Sequence, residues 1–456
     1  MSYLFSPRYK AIVFRKLWIA LAEAQQKLGL PIKAVQIQEM KRHLSNIDWE
    51  AIAKHEKTTR HDVMAHILAF GDLCPKARPI IHWGATSTYV TDNGELIQMK
   101  EALGLLIGKL LVLLRAASEL TLKHAHDPCL GYTHYQSAQP TTIGKRISLW
   151  VYDLWIDLQE WIRLEEMLPM LGVKGATGTQ SSFLELLNQS HTKVGALEKK
   201  IASEFGFERV VDVCGQTYSR KWDALVLNAL ATFASGAHKM ATDIRLLAHD
   251  KEMTEHFDAS QVGSSAMPYK QNPIYSERVC GIARFVMTSA QNGLLTASTQ
   301  WLERTLDDSS NRRLAIPDCF LGADAILNLL IHIVDHLHIN SKLSVEKALD
   351  EMPKLVTENL LMAAVKKGGD RQQLHAKLKQ LHAKTARAKK PLAALLDAVA
   401  TDKDFGLTKK EAHAKADIAA LIGRAPEQVE LFIQKEVKPL LKKYAKKVGS
   451  VSPISV

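Results

Sequence analysis

At 456 residues the chain is too long for one simple hydrophobic core and points to two or three domains. Its composition, 46% hydrophobic and 23% charged, is that of a folded soluble protein, and five widely spaced cysteines without a Cys-x-x-Cys pair argue against a disulfide framework or structural zinc and for a reducing cytosol. A formal net charge of +11 leaves three readings: nucleic-acid binding, a polyanionic small substrate, or a solvated basic surface.

The first residues, MSYLFSPRYK, lack the basic start and apolar run of a signal peptide. Residues 12–28 carry Ile12, Leu17, Leu21, Ala24 and Leu28 on one stripe, an amphipathic helix stopped by Gly29 and Pro31. A long helix follows from about 88 to 125. Its apolar run at 103–114 is interrupted by Lys109 and falls short of the ~20 residues that span a bilayer, so it reads as a core helix. Further helical periodicity covers 143–167, 193–205, 222–248, 275–298 and 313–338.

Helices of this length imply an extended bundle. The expected fold is all-α with three regions: residues 1–87, a central long-helix bundle at 88–339, and shorter helices at 340–456. Long helices expose more apolar surface than one subunit covers, so a helical homo-oligomer is expected. Polar or small-residue segments at 131–142, 172–182 and 258–273 interrupt the helices, and functional residues concentrate on such loops. Much of the basic excess lies in the last ninety or so residues, interleaved with Leu, Ala and Glu at helical spacing and without aromatics to stack bases. A solvated face is favoured there over nucleic-acid binding, and the terminal SPISV reads as disordered.

The segment richest in chemistry is GSSAMPYKQNP at 263–273: small residues, two hydroxyls, a lysine and an amide, anchored by two prolines. It closely resembles the signature of the fumarase/aspartase superfamily, lyases that release fumarate. The resemblance runs along nearly the whole chain to the adenylosuccinate lyases, especially their animal-type branch. It is carried by SPRYK at 6–10, TRHDVMAH at 59–66, HWGATSTYVTDN at 82–93 and GYTHYQSAQPTTIGKR at 131–146. KGATGTQSSF at 174–183, GQTYSRK at 215–221 and QWLERTLDDSSNRR at 300–313 complete it.

Eliminating fumarate requires a base for a weakly acidic proton beside a carboxylate, an acid for the departing nitrogen, and positive charge for a doubly charged intermediate. No metal or organic cofactor is required. By the resemblance, Ser264 is the base, activated by loop N–H groups and Lys270 once the loop closes as a lid. His134 is the general acid, Glu277 its carboxylate partner, and His61 orients the substrate. The substrate carries a phosphate and two carboxylates, oxyanions that the planar fork of arginine grips in pairs. The resemblance places Arg8, Tyr9, Arg304, Ser309 and Arg313 around the nucleotide and its phosphate. Arg60, Asp62, Thr86, Ser87, Thr133, Gln216, Lys270, Asn272 and Arg278 line the remainder.

Several plainer readings compete. A Ser-Ser pair after glycine is often only turn chemistry, and Arg304 with Arg313 could form surface ion pairs with Asp307 and Asp308. His61, Asp62 and His66, like His124, His126 and Asp127, make a poor metal set. GVKGATGTQ lacks the Gly-Lys-Ser/Thr ending of a phosphate loop. Gln271 and Ser137 depart from residues common in the family, a more basic one and a proline, which bears on loop rigidity. The resemblance further implies a cytoplasmic homotetramer with active sites shared between subunits, acting in purine nucleotide biosynthesis, with no nucleic-acid or membrane partner. Another fumarate-releasing lyase such as an argininosuccinate lyase, a non-catalytic helical protein, and a basic nucleic-acid binder stay open as alternatives.

Overall fold

Ser6 accepts a hydrogen bond from the Tyr9 amide (3.2 Å) and Pro7 occupies the first helical position, so the chain enters α1 (Pro7–Lys27) almost at once. The computed structural model describes residues 1–257 and 263–449. Gly29, at φ +99°, ends α1, and α2 (Ala34–Arg42), α3 (Trp49–Thr59) and α4 (Asp62–Leu73) follow. Phe14, Trp18 and Phe70 from these helices join the same core as the central bundle.

That bundle is built on α5 (Thr88–Lys123), whose 36 residues rise about 54 Å. Leu103, Leu106, Leu110, Leu113 and Leu114 bury its apolar face, and Lys109 in their midst reaches Asp324 (2.6 Å) and Asn328 (2.9 Å). A buried lysine is tolerated because both partners are met. The strands β1 (Pro128–Thr133) and β2 (Gln136–Thr142) precede α6 (Ile143–Met167), and α7 (Ser181–Leu186) and α8 (His191–Glu204) lead to α9 (Lys221–His249). After β3 (Met253–Thr254) come α10 (Ile274–Ser289), α11 (Gln291–Ser298) and α12 (Asp307–Asp335). Helix α5 packs on α6 and α12, and α9 on α6 and α10. The structure is 68% helical with 4% strand, the all-α bundle expected.

Two local readings are corrected. Residues 275–298 are not one helix: the chain turns at Ala290, which lets Gly293 pack against the backbone of Ala224 on α9. Residues 131–142 are not a loop but most of a β-hairpin, paired from Pro128↔Thr142 to Thr133↔Gln136 with an irregularity between Leu130 and Tyr132. Only His134 and Tyr135 form the turn, at φ +53° and +55°. Two-residue hairpin turns favour such angles because they match strand twist, but Asn-Gly usually occupies them.

On α6, Asp157 is buried beside Gly236 of α9; burial first, and Asp153 second, push its carboxyl up to about 7. The folded state therefore keeps a proton that the unfolded chain loses near its ordinary value. Stability is highest below that value and declines as pH rises toward 7. Asp157→Asn should raise the thermal midpoint at pH 8, with a smaller gain at pH 5, by calorimetry. An unchanged or lower midpoint at pH 8 would contradict a buried charge there.

Past β4 (His338–Ile339), which pairs with β3, the chain leaves the bundle. The helices α13 (Ser341–Asp350), α14 (Met352–Leu355), α15 (Thr357–Lys366), α16 (Arg371–Thr385), α17 (Pro391–Thr401), α18 (Lys409–His413) and α19 (Ile418–Leu421) follow. Val356, Leu360, Leu374, Leu395 and Phe405 form a separate small core there. The chain then returns through α20 (Ala425–Phe432), a π-turn at Ile433–Val437 and α21 (Lys438–Lys443). Ile433 and Val437 sit in the bundle core, Lys447 pairs with Glu165, and the Lys447–Gly449 backbone packs on Gly108 of α5. The SPISV tail and residues 258–262, the start of the polar segment read at 258–273, lie outside the described residues.

Candidate active site

At one end of the bundle, where α5, α9 and α12 begin, a cleft of about 610 Å³ opens. Arg60, His61, Asp62, Ser87, Gln216, Arg304, Ser309 and Arg313 all line it, though they come from four separate stretches of sequence. Arg60 adopts φ +50° as it caps α3, which turns the chain sharply into α4. His61 then caps α4: its Nδ1 accepts the Met64 amide (3.3 Å), so a neutral ring carries its proton on Nε2 as a hydrogen-bond donor. Asp62 holds Arg313 (3.3 Å). Thr86 adjoins the cleft through Ser87, outside its lining.

Beneath the cleft lies a buried ion network that sequence reading did not single out. Arg220 donates to Asp92 (2.9 Å) and Asp308 (2.8 Å), and Asp308 also accepts from Arg304 (3.0 Å). Asp308 thus fixes Arg304 while Arg220 fixes Asp308. Beside them Arg312 bonds Asp223 and Glu95, each at 2.6 Å, and Tyr218. The expected pairing of Arg304 with the aspartates holds for Asp308, but as a buried support and not as a surface pair. A usable signal was present: Asp92 stands between the apolar positions Tyr89 and Leu96, one turn away on either side, where a buried acid needs a buried cation. Lys10 was also missed. It lines the cleft, and burial, then the Arg313 charge, hold it below the usual lysine range.

Two expected residues point elsewhere in this chain. Arg8 donates to the Ser45 carbonyl (3.3 Å), and Tyr9, nearly buried, bonds Glu101. The other histidines have structural partners: burial drives His66, packed on Phe14, down to about 4, and His124 pairs with Asp127 (2.7 Å). Against the cleft's edge folds the 174–183 segment. Gly178, at φ +82°, lies so close to the Cys214 carbonyl that any Cβ would collide.

The remaining candidates gather at the opposite end. Ser264 Oγ accepts the amides of Ala266 (3.3 Å) and Met267 (3.1 Å), hydrogen bonds that favour an ionised oxygen. Gly263 packs on the Lys270 carbonyl too tightly for a side chain, and Asn272 donates to the Gly263 carbonyl (2.9 Å), closing the loop on itself. Lys270 is exposed, as are Glu277 and Arg278 in the first turn of α10. Glu255 accepts from the Tyr275 (3.0 Å) and Ser276 (2.6 Å) amides and so ties α10 to β3. Tyr132 of the hairpin bonds Glu252 (3.3 Å) just before β3, which brings Thr133 and His134 to this end, exposed on the turn. Left-handed backbone at a non-glycine residue costs on the order of 1 kcal/mol and recurs at functional sites.

No hydrogen bond or ion pair joins His134 to Glu277 among the described residues. The cleft residues and the loop residues are too far apart to meet within one chain. Arg313 lies near the start of α12, and the helix runs ~33 Å further to Asp335. There His336 stacks near His256, beside the loop. One chain holds two groups of candidate residues at opposite ends of the bundle.

Residues 8–288 match the lyase family, and residues 353–432 match the adenylosuccinate lyase C-terminus family. The chain is 44% identical to an adenylosuccinate lyase of Schizosaccharomyces pombe, covering 97% of this chain and 93% of that one. The chain belongs to the adenylosuccinate lyase family. It is a lyase. An adenylosuccinate lyase of Saccharomyces cerevisiae is 43% identical over 98% of this chain and 94% of its own. In fold, the chain is similar to a 3-carboxy-cis,cis-muconate lactonizing enzyme from Pseudomonas putida (TM-score 0.83, 21% identity, 98% and 97% covered). A fumarate lyase from Mesorhizobium sp. BNC1 is comparably similar (TM-score 0.82, 20% identity, 95% and 97% covered). Those two likenesses speak to the bundle alone. Membership of the adenylosuccinate lyase family rests on the sequence relatives.

Proposed function

We propose that this chain eliminates fumarate from adenylosuccinate to give AMP, and from the succinylated aminoimidazole-carboxamide ribotide, in purine nucleotide biosynthesis. The observation that carries the reading is the cleft. Arg60, Arg304, Arg313 and Lys10 converge on it around His61, a charge balance suited to a phosphate and two carboxylates.

In this reaction Ser264 takes the proton from the carbon beside a carboxylate, the C–N bond breaks as the C=C bond forms, and His134 protonates the leaving nitrogen. Lys270 and the loop amides stabilise the charge that develops. Neither step calls for a cofactor. Because the cleft and the loop lie at opposite ends of the bundle, a complete site draws on more than one subunit. We read the assembly as a homotetramer. Exposed Leu149, Leu225, Phe285, Leu295 and Leu314 on α6 and α9–α12 supply the apolar faces for it. Five unpaired thiols fit a cytoplasmic setting.

The test is fumarate release from adenylosuccinate by the purified protein, with argininosuccinate, malate and aspartate in parallel. Turnover of adenylosuccinate alone is expected, with Arg313→Ala chiefly raising KM. Turnover of another substrate instead would retain the chemistry and discard the nucleotide; silence on all four would discard both.

A further inference from the structure

We propose that the groove between α14–α15 and α16, in the C-terminal region, binds a nucleoside polyphosphate at a site distinct from the cleft. The groove encloses about 520 Å³, within the range of small-molecule sites. One wall is α16. Its Arg371, His375, Lys379 and His382 all face the groove. Spacings of four, four and three residues keep them on one side of the helix and spread them over ~16 Å, the reach of a sugar and a short phosphate chain. Lys354, itself paired with Glu351 (2.5 Å), faces them from α14.

The cations of this region are sorted. Lys367 pairs with Glu411, Lys377 on another face of α16 pairs with Asp402 and Asp404, and Lys409 pairs with Asp397. Among the described residues, Arg371 and Lys379 have no carboxylate within ion-pair distance, although both line a concavity where their fields add. Arg371 and Lys379 on one wall, with Glu358 as the one acid in the lining, leave an excess of positive charge that favours an anion.

The rest of the lining narrows the class. Glu358 faces the groove without an ion-pair partner among the described residues; a carboxylate there repels bare phosphate but accepts sugar hydroxyls. Leu361 and Leu378 close an apolar floor for a base. No Phe, Tyr or Trp lines the groove, which disfavours a stacked nucleic-acid strand.

Calorimetric titration of the full-length protein with ATP at physiological ionic strength tests this. The expected result is one saturable site per chain that R371E/K379E weakens at least about tenfold. Arg313→Ala should leave that binding unchanged, and inorganic triphosphate should bind several-fold more weakly. Both replaced groove residues are exposed, so circular dichroism and fumarate release of R371E/K379E should match the parent. Binding that survives R371E/K379E but is lost in Arg313→Ala belongs to the cleft and overturns the proposal. So does inorganic triphosphate binding as tightly as ATP, or an absence of saturable binding.

Discussion

Replacing Ser264 with alanine is expected to lower turnover by on the order of 10²-fold or more while folding and assembly persist. The oxygen is the only group the change removes. It sits in a loop that keeps its shape through the Gly263–Lys270 contact and the Asn272 side chain, neither of which needs the hydroxyl. A serine hydroxyl is ordinarily far too weak an acid to serve as base, and the two amides on its Oγ are what shift it toward the ionised form. His134→Ala should cost a comparable factor for the acid half of the reaction, with the hairpin intact. Steady-state assays alongside light scattering separate loss of chemistry from loss of assembly. Near-normal turnover in either variant would remove that residue from its role.

The second large effect lies under the cleft. Arg220→Ala should destabilise the protein by about 3–5 kcal/mol, because Asp92 stays buried with its charge uncompensated and Asp308 keeps only the partly exposed Arg304. It should also free Arg304, whose only ion-pair partner among the described residues is Asp308, and so raise KM more than it lowers kcat. Replacing the set together, Asp92→Asn with Arg220→Gln and Asp308→Asn, should destabilise less than the single change, since no lone charge is left behind. Denaturant unfolding reads the first comparison and initial rates the second. A single variant as stable as the parent would show that water, not Arg220, neutralises the acids.

The bundle was legible because apolar spacing reports burial directly. The helix read at 88–125 is Thr88–Lys123, and that at 143–167 is Ile143–Met167. The break at Ala290 was not, since nothing local marks it; it follows from Gly293 meeting α9 across the bundle. The hairpin hid because Thr133, His134 and Tyr135 carry no Asn-Gly, and the turn is held at positive φ by the strands on either side. Of the site, the polar residues in motifs could be named from the resemblance. Their division into two ends of the molecule could not, because it depends on which way each long helix runs. Asp308 read as a surface charge and Arg220 was not singled out, though both stood within quoted motifs, and their roles appear only where three segments distant in sequence meet.

The return of the chain's last segment to α5 has a consequence for biosynthesis. Helix α5 emerges early from the ribosome, but the patch around Gly108 is covered by residues 447–449, made about 340 residues later. At translation rates of roughly 5–20 residues per second, that patch waits tens of seconds for its cover. The intervening helices, closing on their own small core, can fold meanwhile, so the final act of folding is the docking of the terminal helices onto a bundle already formed. A nascent chain stalled shortly before that point would present an open apolar seam to chaperones, and a premature stop there would leave the seam permanently exposed.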